Sequence, residues 1–268
     1  MQGRQMISTV VGDLEVRIVG EDIGKPTALL WHSLFVDSET WKRVEDDLAE
    51  DRRLVLVTGP GHGASTDPGR RYTVDECADA AVSVLDQLGI GGPVDWVGNA
   101  WGGHVGIVAA VRYPERCRSL VTAGTPVHGT TTSGRIQTGL LLAIYRMFGP
   151  RKFIVDTVVD ALLSERTRAN DPEAVAITRD GFLRAGGLAN TVASLSVGRP
   201  DLTPLLPEVK APTLFITGTE HRDWSPDQAR AACQLLPDGS VEVVEGAAYL
   251  IPLETPDVFT KLVRRFWT

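Results

Sequence analysis

The chain has 268 residues, 43% of them hydrophobic and 23% charged, a length that fits two small domains or one large α/β domain carrying an insertion. Its formal net charge of -7 offers no cationic face to a phosphate backbone or an anionic lipid surface, so neither nucleic acid nor membrane is an expected partner. Cys77, Cys117 and Cys233 are odd in number, widely spaced and free of any CxxC, which argues against a disulfide framework or a zinc site and points to reduced thiols in a cytoplasmic protein.

In chain order, residues 6–11 and 14–19 are β-type runs separated by Gly12-Asp13, a hairpin signal. Residues 27–31 form a wholly apolar strand ending in His32-Ser33-Leu34. Ser38 offers an N-cap for a helix with Trp41, Val44 and Leu48 inward, and 54–57 is the next strand, followed by the glycine-rich turn 59–65. Thr73 and Glu76 make a capping box that opens a helix with Cys77, Ala81, Val84 and Leu88 inward, closed by Gly89.

Residues 94–105 then read as an apolar strand, a glycine-pinched turn and the start of a helix. Gly98 and Gly102 flank the apex at two residues on either side, which lets the backbone fold back and present one side chain at the top of a sheet. The apex is Ala100, whose methyl group cannot attack anything. After a strand at 119–123, strand signals vanish from His128 to about Pro207. Helical faces there are Ile136, Leu140 and Ile144, then Ile154, Val158 and Leu162, then a helix from Asp171-Pro172, then Leu188, Val192 and Leu195. Strand, helix, strand and helix follow at 212–217, 226–235, 241–244 and 256–266. Alternation of this kind implies a mostly parallel sheet of about eight strands with helices on both faces.

The order His32-Ser33, Gly61-His62-Gly63-Ala64-Ser65, Gly98 to Gly103, a helical insertion, Gly218 to Pro226 and Gly246 to Pro256 resembles the α/β-hydrolase superfamily over nearly the whole chain. The resemblance implies an α/β-hydrolase core at 1–126 and 208–268 and a helical cap at 127–207. It also implies a nucleophile at the elbow, an acid after a later strand and a histidine before the last helix. Ala100 fills the first place, His221 the second with Glu220 and Asp223 beside it, and Tyr249 the third, so the triad is degenerate.

The resemblance further implies an oxyanion hole made by the Trp101 N–H and an N–H near Ser33 or Leu34, with His32 and Asn99 beside it. His221, its tautomer set by a carboxylate neighbour, and Tyr249, as a phenolic donor, are the acid/base candidates. His32 and His104 are expected as scaffold, and Trp101 is expected either to face the pocket floor or to pack. Arg135, Arg146 and Arg151 lie in the cap, as ligand contacts or as surface charge. No motif implies a cofactor or a metal.

The expected partner is a small, mostly apolar molecule held between core and cap, with a homodimer also possible. Three functions stay open: an enzyme working by oxyanion polarisation and acid/base chemistry without a serine nucleophile, an ester or lactone hydrolase seen as an inactivated Ala100 variant, and a non-catalytic binding protein.

Overall fold

A computed structural model describes residues 3–20 and 24–268. Eight strands form one sheet: β1 (Arg4–Thr9), β2 (Gly12–Val19), β3 (Thr27–Trp31), β4 (Arg53–Val57), β5 (Val94–Asn99), β6 (Cys117–Ala123), β7 (Thr213–Gly218) and β8 (Gly239–Val244). Their order is β1-β2-β4-β3-β5-β6-β7-β8. The first two are antiparallel additions at one edge, and β3 to β8 are parallel. In β3 and β5 nearly every residue is buried on both faces, as crossover helices require of the centre of a parallel sheet.

The hairpin turns two residues earlier than the Gly12-Asp13 signal suggests. Thr9 pairs with Gly12, so Val10 and Val11 form the turn, and Gly12 takes φ +97 at the start of β2. Residues after Ser38 make a single 3-10 turn capped by Asp37, then the short helix α1 (Glu45–Ala49), with Trp41, Val44 and Leu48 buried as expected. The capping box of Thr73 and Glu76 opens α2 (Val74–Gln87), and α3 (Trp101–Arg112) follows β5 directly.

Between β6 and β7 lie five helices, α4 (Thr132–Phe148), α5 (Lys152–Leu162), α6 (Glu165–Asn170), α7 (Pro172–Leu183) and α8 (Leu188–Leu195). The sequence shows four of them; α6 is one and a half turns long and carries no apolar period, so only its Ser164 cap marks it. The α4 face is also corrected. Ile136 and Leu140 are 68% and 62% exposed, whereas Ile144 of the expected face does pack inward, with Leu141, buried Leu142 and Tyr145, against the cluster formed by α5, α7 and α8. Helix α9 (Pro226–Cys233), the single turn α10 (Ile251–Glu254) and α11 (Pro256–Trp267) complete the chain.

Two ion pairs fasten the insertion to the sheet side. Arg184, after α7, holds Asp37 through Nε at 2.7 Å, and Arg43 holds Asp171 at 2.6 Å. A buried carboxylate does more. Glu254 accepts from the Ala248 N–H (2.8 Å), the Ser164 N–H (2.8 Å) and the Thr167 hydroxyl (2.9 Å), so it ties the loop after β8 to the start of α6.

Candidate active site

The β5–α3 turn is a strained elbow. Ala100 has φ 47 and ψ -104, and among the described residues Phe35 (φ 70) is the other non-glycine residue with positive φ. Both line the same cavity. Backbone strain of this kind costs on the order of 1–3 kcal/mol and survives only where the surroundings impose it. They do so here by close packing. A Cβ on Gly98 would lie 2.2 Å from the Gly102 backbone, and one on Gly102 would lie 1.9 Å from the Trp31 carbonyl oxygen. The Ala100 N–H bonds the Ala123 carbonyl, the Gly102 N–H bonds the His32 carbonyl, and the Gly103 and His104 N–H groups bond the Ala100 carbonyl.

The cavity above Ala100 has a volume of about 250 Å³ and is walled by the β3 loop, the head of α3, and residues of α4, α5 and the segment after α8. Ser33, Leu34, Ala100, Trp101, Asp223 and Tyr249 all belong to its lining. The structure therefore brings together most of the residues that the sequence marks. The Trp101 amide stands at the head of α3, but its indole turns into the core against Trp31 and His32 at centroid distances of 5.3 and 5.5 Å. It forms no pocket floor. The Ser33 hydroxyl donates to the Leu34 carbonyl at 3.2 Å.

His32 is a strut. Its Nε2 accepts from the Gly59 N–H at 2.8 Å, which leaves Nδ1–H to donate to the Ser33 carbonyl at 2.7 Å, and complete burial depresses the ring to about 3. His104 also reaches the cavity wall; its Nε2 meets the Pro126 carbonyl at 2.8 Å and its Nδ1 is buried without a partner. Burial holds this ring neutral as well, at about 3. Asn99 is a second strut, since its amide nitrogen donates to the carbonyls of Ala123 (2.9 Å) and Tyr249 (2.8 Å). Its side chain is spent on joining β5 to the Tyr249 loop.

His221 is placed differently from the expectation. Its Nδ1 accepts from the backbone N–H of Asp223 and its Nε2 meets the Gly124 carbonyl, both at 3.2 Å, so no carboxylate sets its tautomer and neither nitrogen is free. Burial lowers it to about 4. The ring lies 3.7 Å from that of Tyr249, tilted 35°. Glu220 points away, accepting from the Glu165 N–H at 3.2 Å at the start of α6.

Asp223 and Tyr249 form the pair that side-chain chemistry can use. The Tyr249 hydroxyl donates to Asp223 Oδ2 at 2.6 Å. Burial raises the phenol well above 10, the Asp223 charge adds to the rise, and Arg199 opposes it. Arg199, in the segment after α8, and Arg222 line the same end of the cavity. The cap arginines singled out from sequence, Arg135, Arg146 and Arg151, are exposed. His128, which offers no partner in the sequence, reaches the Asp223 carbonyl through Nε2 at 3.0 Å. Arg199 and Glu254 carry no sequence signal, because both act through long-range contacts between loops.

The chain belongs to the alpha/beta hydrolase family, whose profile, described as "Alpha/beta hydrolase family", matches residues 28–262. It is 29% identical over 252 residues, covering 88% of both chains, to a putative 2-succinyl-6-hydroxy-2,4-cyclohexadiene-1-carboxylate synthase of Bacillus subtilis. It is 30% identical over 227 residues to a 2-hydroxy-6-oxononadienedioate/2-hydroxy-6-oxononatrienedioate hydrolase of Burkholderia vietnamiensis, covering 80% of this chain and 76% of that one. Among solved structures it superposes on a thermophilic esterase of Thermogutta terrifontis with a TM-score of 0.89 at 26% identity, covering 99% and 98% of the two chains. Among the described residues no group of His, Cys, Asp and Glu side chains could hold a metal ion, and no helix is long and apolar enough to cross a membrane.

Proposed function

We propose that this chain is an enzyme that binds a small, largely apolar molecule above Ala100, under the cap formed by the inserted helices, and moves a proton on it without a serine nucleophile. The Trp101 and Leu34 N–H groups form the oxyanion hole. The Tyr249–Asp223 pair supplies the proton acceptor: Tyr249 Oη takes a proton from carbon beside a carbonyl while its own hydrogen passes to Asp223 Oδ2, and the negative charge moves to the carbonyl oxygen. The observation that carries the reading is the 2.6 Å hydrogen bond of Tyr249 to Asp223 on the wall of the cavity that Ala100 floors. His221 cannot replace the missing base, because both of its ring nitrogens are held by backbone groups. The relative from Bacillus subtilis is named a synthase, which supports chemistry other than hydrolysis on this fold.

The test uses a neutral probe, 4-phenyl-2-butanone in deuterium oxide, with deuterium uptake beside the ketone followed by NMR. Wild type is expected to exceed buffer, and Tyr249→Phe and Asp223→Asn to fall by roughly 10²-fold or more. Rapid turnover of a p-nitrophenyl ester by the unaltered chain, with no deuterium uptake, would overturn the reading.

A further inference from the structure

The cavity has an apolar side and a charged end. Leu34, Phe35, Leu141, Val158 and Leu162 make the first, and Phe35, Leu141 and Val158 also open onto a small, wholly apolar pocket under α4. Arg199, Arg222 and the Tyr249–Asp223 pair make the second.

Arg199 is the anomaly among the arginines at this depth. Arg17, Arg52 and Arg116 each meet a carboxylate at 2.6 to 2.7 Å. Arg199 makes no ion pair among the described residues; its Nε is buried without a hydrogen-bond partner, as is that of Arg17, but Arg17 has Glu45 on its other nitrogens. The carboxylate that shares its end of the cavity, Asp223, already accepts from Tyr249. Burial accordingly pulls the Arg199 guanidinium below its ordinary value, with only partial compensation from Tyr249 and Asp223. A guanidinium cannot shed its proton to escape this cost, so an anion that pairs with it makes the arrangement more favourable.

We infer that Arg199 is a binding residue for the carboxylate of a ligand whose apolar body lies along Leu34, Phe35 and Val158 toward the pocket under α4. The inference rests on the preceding reading of the cavity as a ligand site and adds the charge and orientation of the ligand. One planar fork suits one carboxylate, and the neighbouring Asp223 charge disfavours a dianion such as a phosphate monoester. Because the chain as a whole is anionic, attraction of the acid is local to this end of the cavity.

Binding of 3-phenylpropionate and of its neutral amide, 3-phenylpropionamide, measured by calorimetry or by NMR, separates the outcomes. Wild type is expected to prefer the acid by roughly tenfold or more, and Arg199→Gln to bind the two alike. Arg199→Lys, which keeps the charge and loses the fork, is expected to show a several-fold smaller preference. Far-UV circular dichroism confirms that each variant is folded; should Arg199→Gln fail to fold, the Lys variant decides. Equal binding of acid and amide by wild type, no binding of the acid at millimolar concentration, or an undiminished preference in the folded variants would each overturn the inference. Deuterium uptake by the neutral ketone without any acid preference sinks this inference alone. Ester turnover without deuterium uptake, together with an intact acid preference, sinks the earlier reading alone.

Discussion

The two sides of the cavity are held by different means. On the elbow side, Gly98, Gly102 and the backbone bonds of Ala100 leave no room for another shape, and the side chain at the apex takes part in none of it. Across the cavity, the loops after β7 and β8 are held by side chains: His221 against two backbone groups, Tyr249 on Asp223, Asn99 and Glu254 on the Tyr249 loop. The difference teaches that a site built from backbone keeps its shape when its reactive atom is absent. A site built from side chains takes its shape from which residues are present, as the Tyr249–Asp223 bond does here.

Acid presses hardest on this comparison. His32, His62 and His104 on the elbow side are buried neutral at about 3, 4 and 3, and His221 across the cavity at about 4, against an ordinary 6.5. The unfolded chain takes up protons below 6.5 while the folded chain does not. Stability is therefore complete above that value and is lost as pH falls toward the folded values, at about 1.4 kcal/mol per pH unit for each ring. Thermal melts are expected to drop steeply below about pH 6, and a flat profile down to about pH 4 would show that the rings are not held neutral.

Gly102→Ala comes next. Its methyl group would sit 1.9 Å from the Trp31 carbonyl oxygen, and a loss of at least about 3 kcal/mol is expected in urea unfolding. On the other side, Asn99→Ala leaves the Tyr249 carbonyl without this donor and is expected to cost about 2 kcal/mol, with the Tyr249 loop showing faster amide exchange. A larger loss from Asn99→Ala than from Gly102→Ala would invert the comparison.

The smallest effects fall on the apex. Ala100→Gly relieves the positive φ and is expected to raise stability by up to about 1 kcal/mol. Ala100→Ser is expected to fold normally and to hydrolyse p-nitrophenyl esters slowly, since no free imidazole nitrogen stands ready beside it. Fast hydrolysis by that variant would show that the second side had kept a working base.

The same division explains what the sequence reveals. The fold is written in local signals: apolar strands, the Thr73 and Glu76 capping box, and the glycines around Ala100, each of which depends on residues a few positions apart. The scaffold role of His32 comes from the family resemblance and not from spacing, since its partner Gly59 lies 27 residues away. The use of Asp223, by contrast, depends on which neighbour reaches it first, and that is decided between loops 26 residues apart. Arg199 and Glu254 are invisible to spacing altogether. The misplaced start of the α4 face has another cause: apolar residues lie on more than one side of that helix, and periodicity cannot tell that Ile136 and Leu140 stay exposed while Leu141, Leu142 and Ile144 pack.

The buried carboxylate of Glu254 has a consequence for the roof of the cavity. By gripping the Tyr249 loop and the start of α6 at once, it prevents that flank of the roof from lifting without dragging the phenol along. Helix α4, with Leu142 as its single buried residue, lies outside that tie. The position of the start of α6 and that of the Tyr249 loop are thus tied through a single side chain.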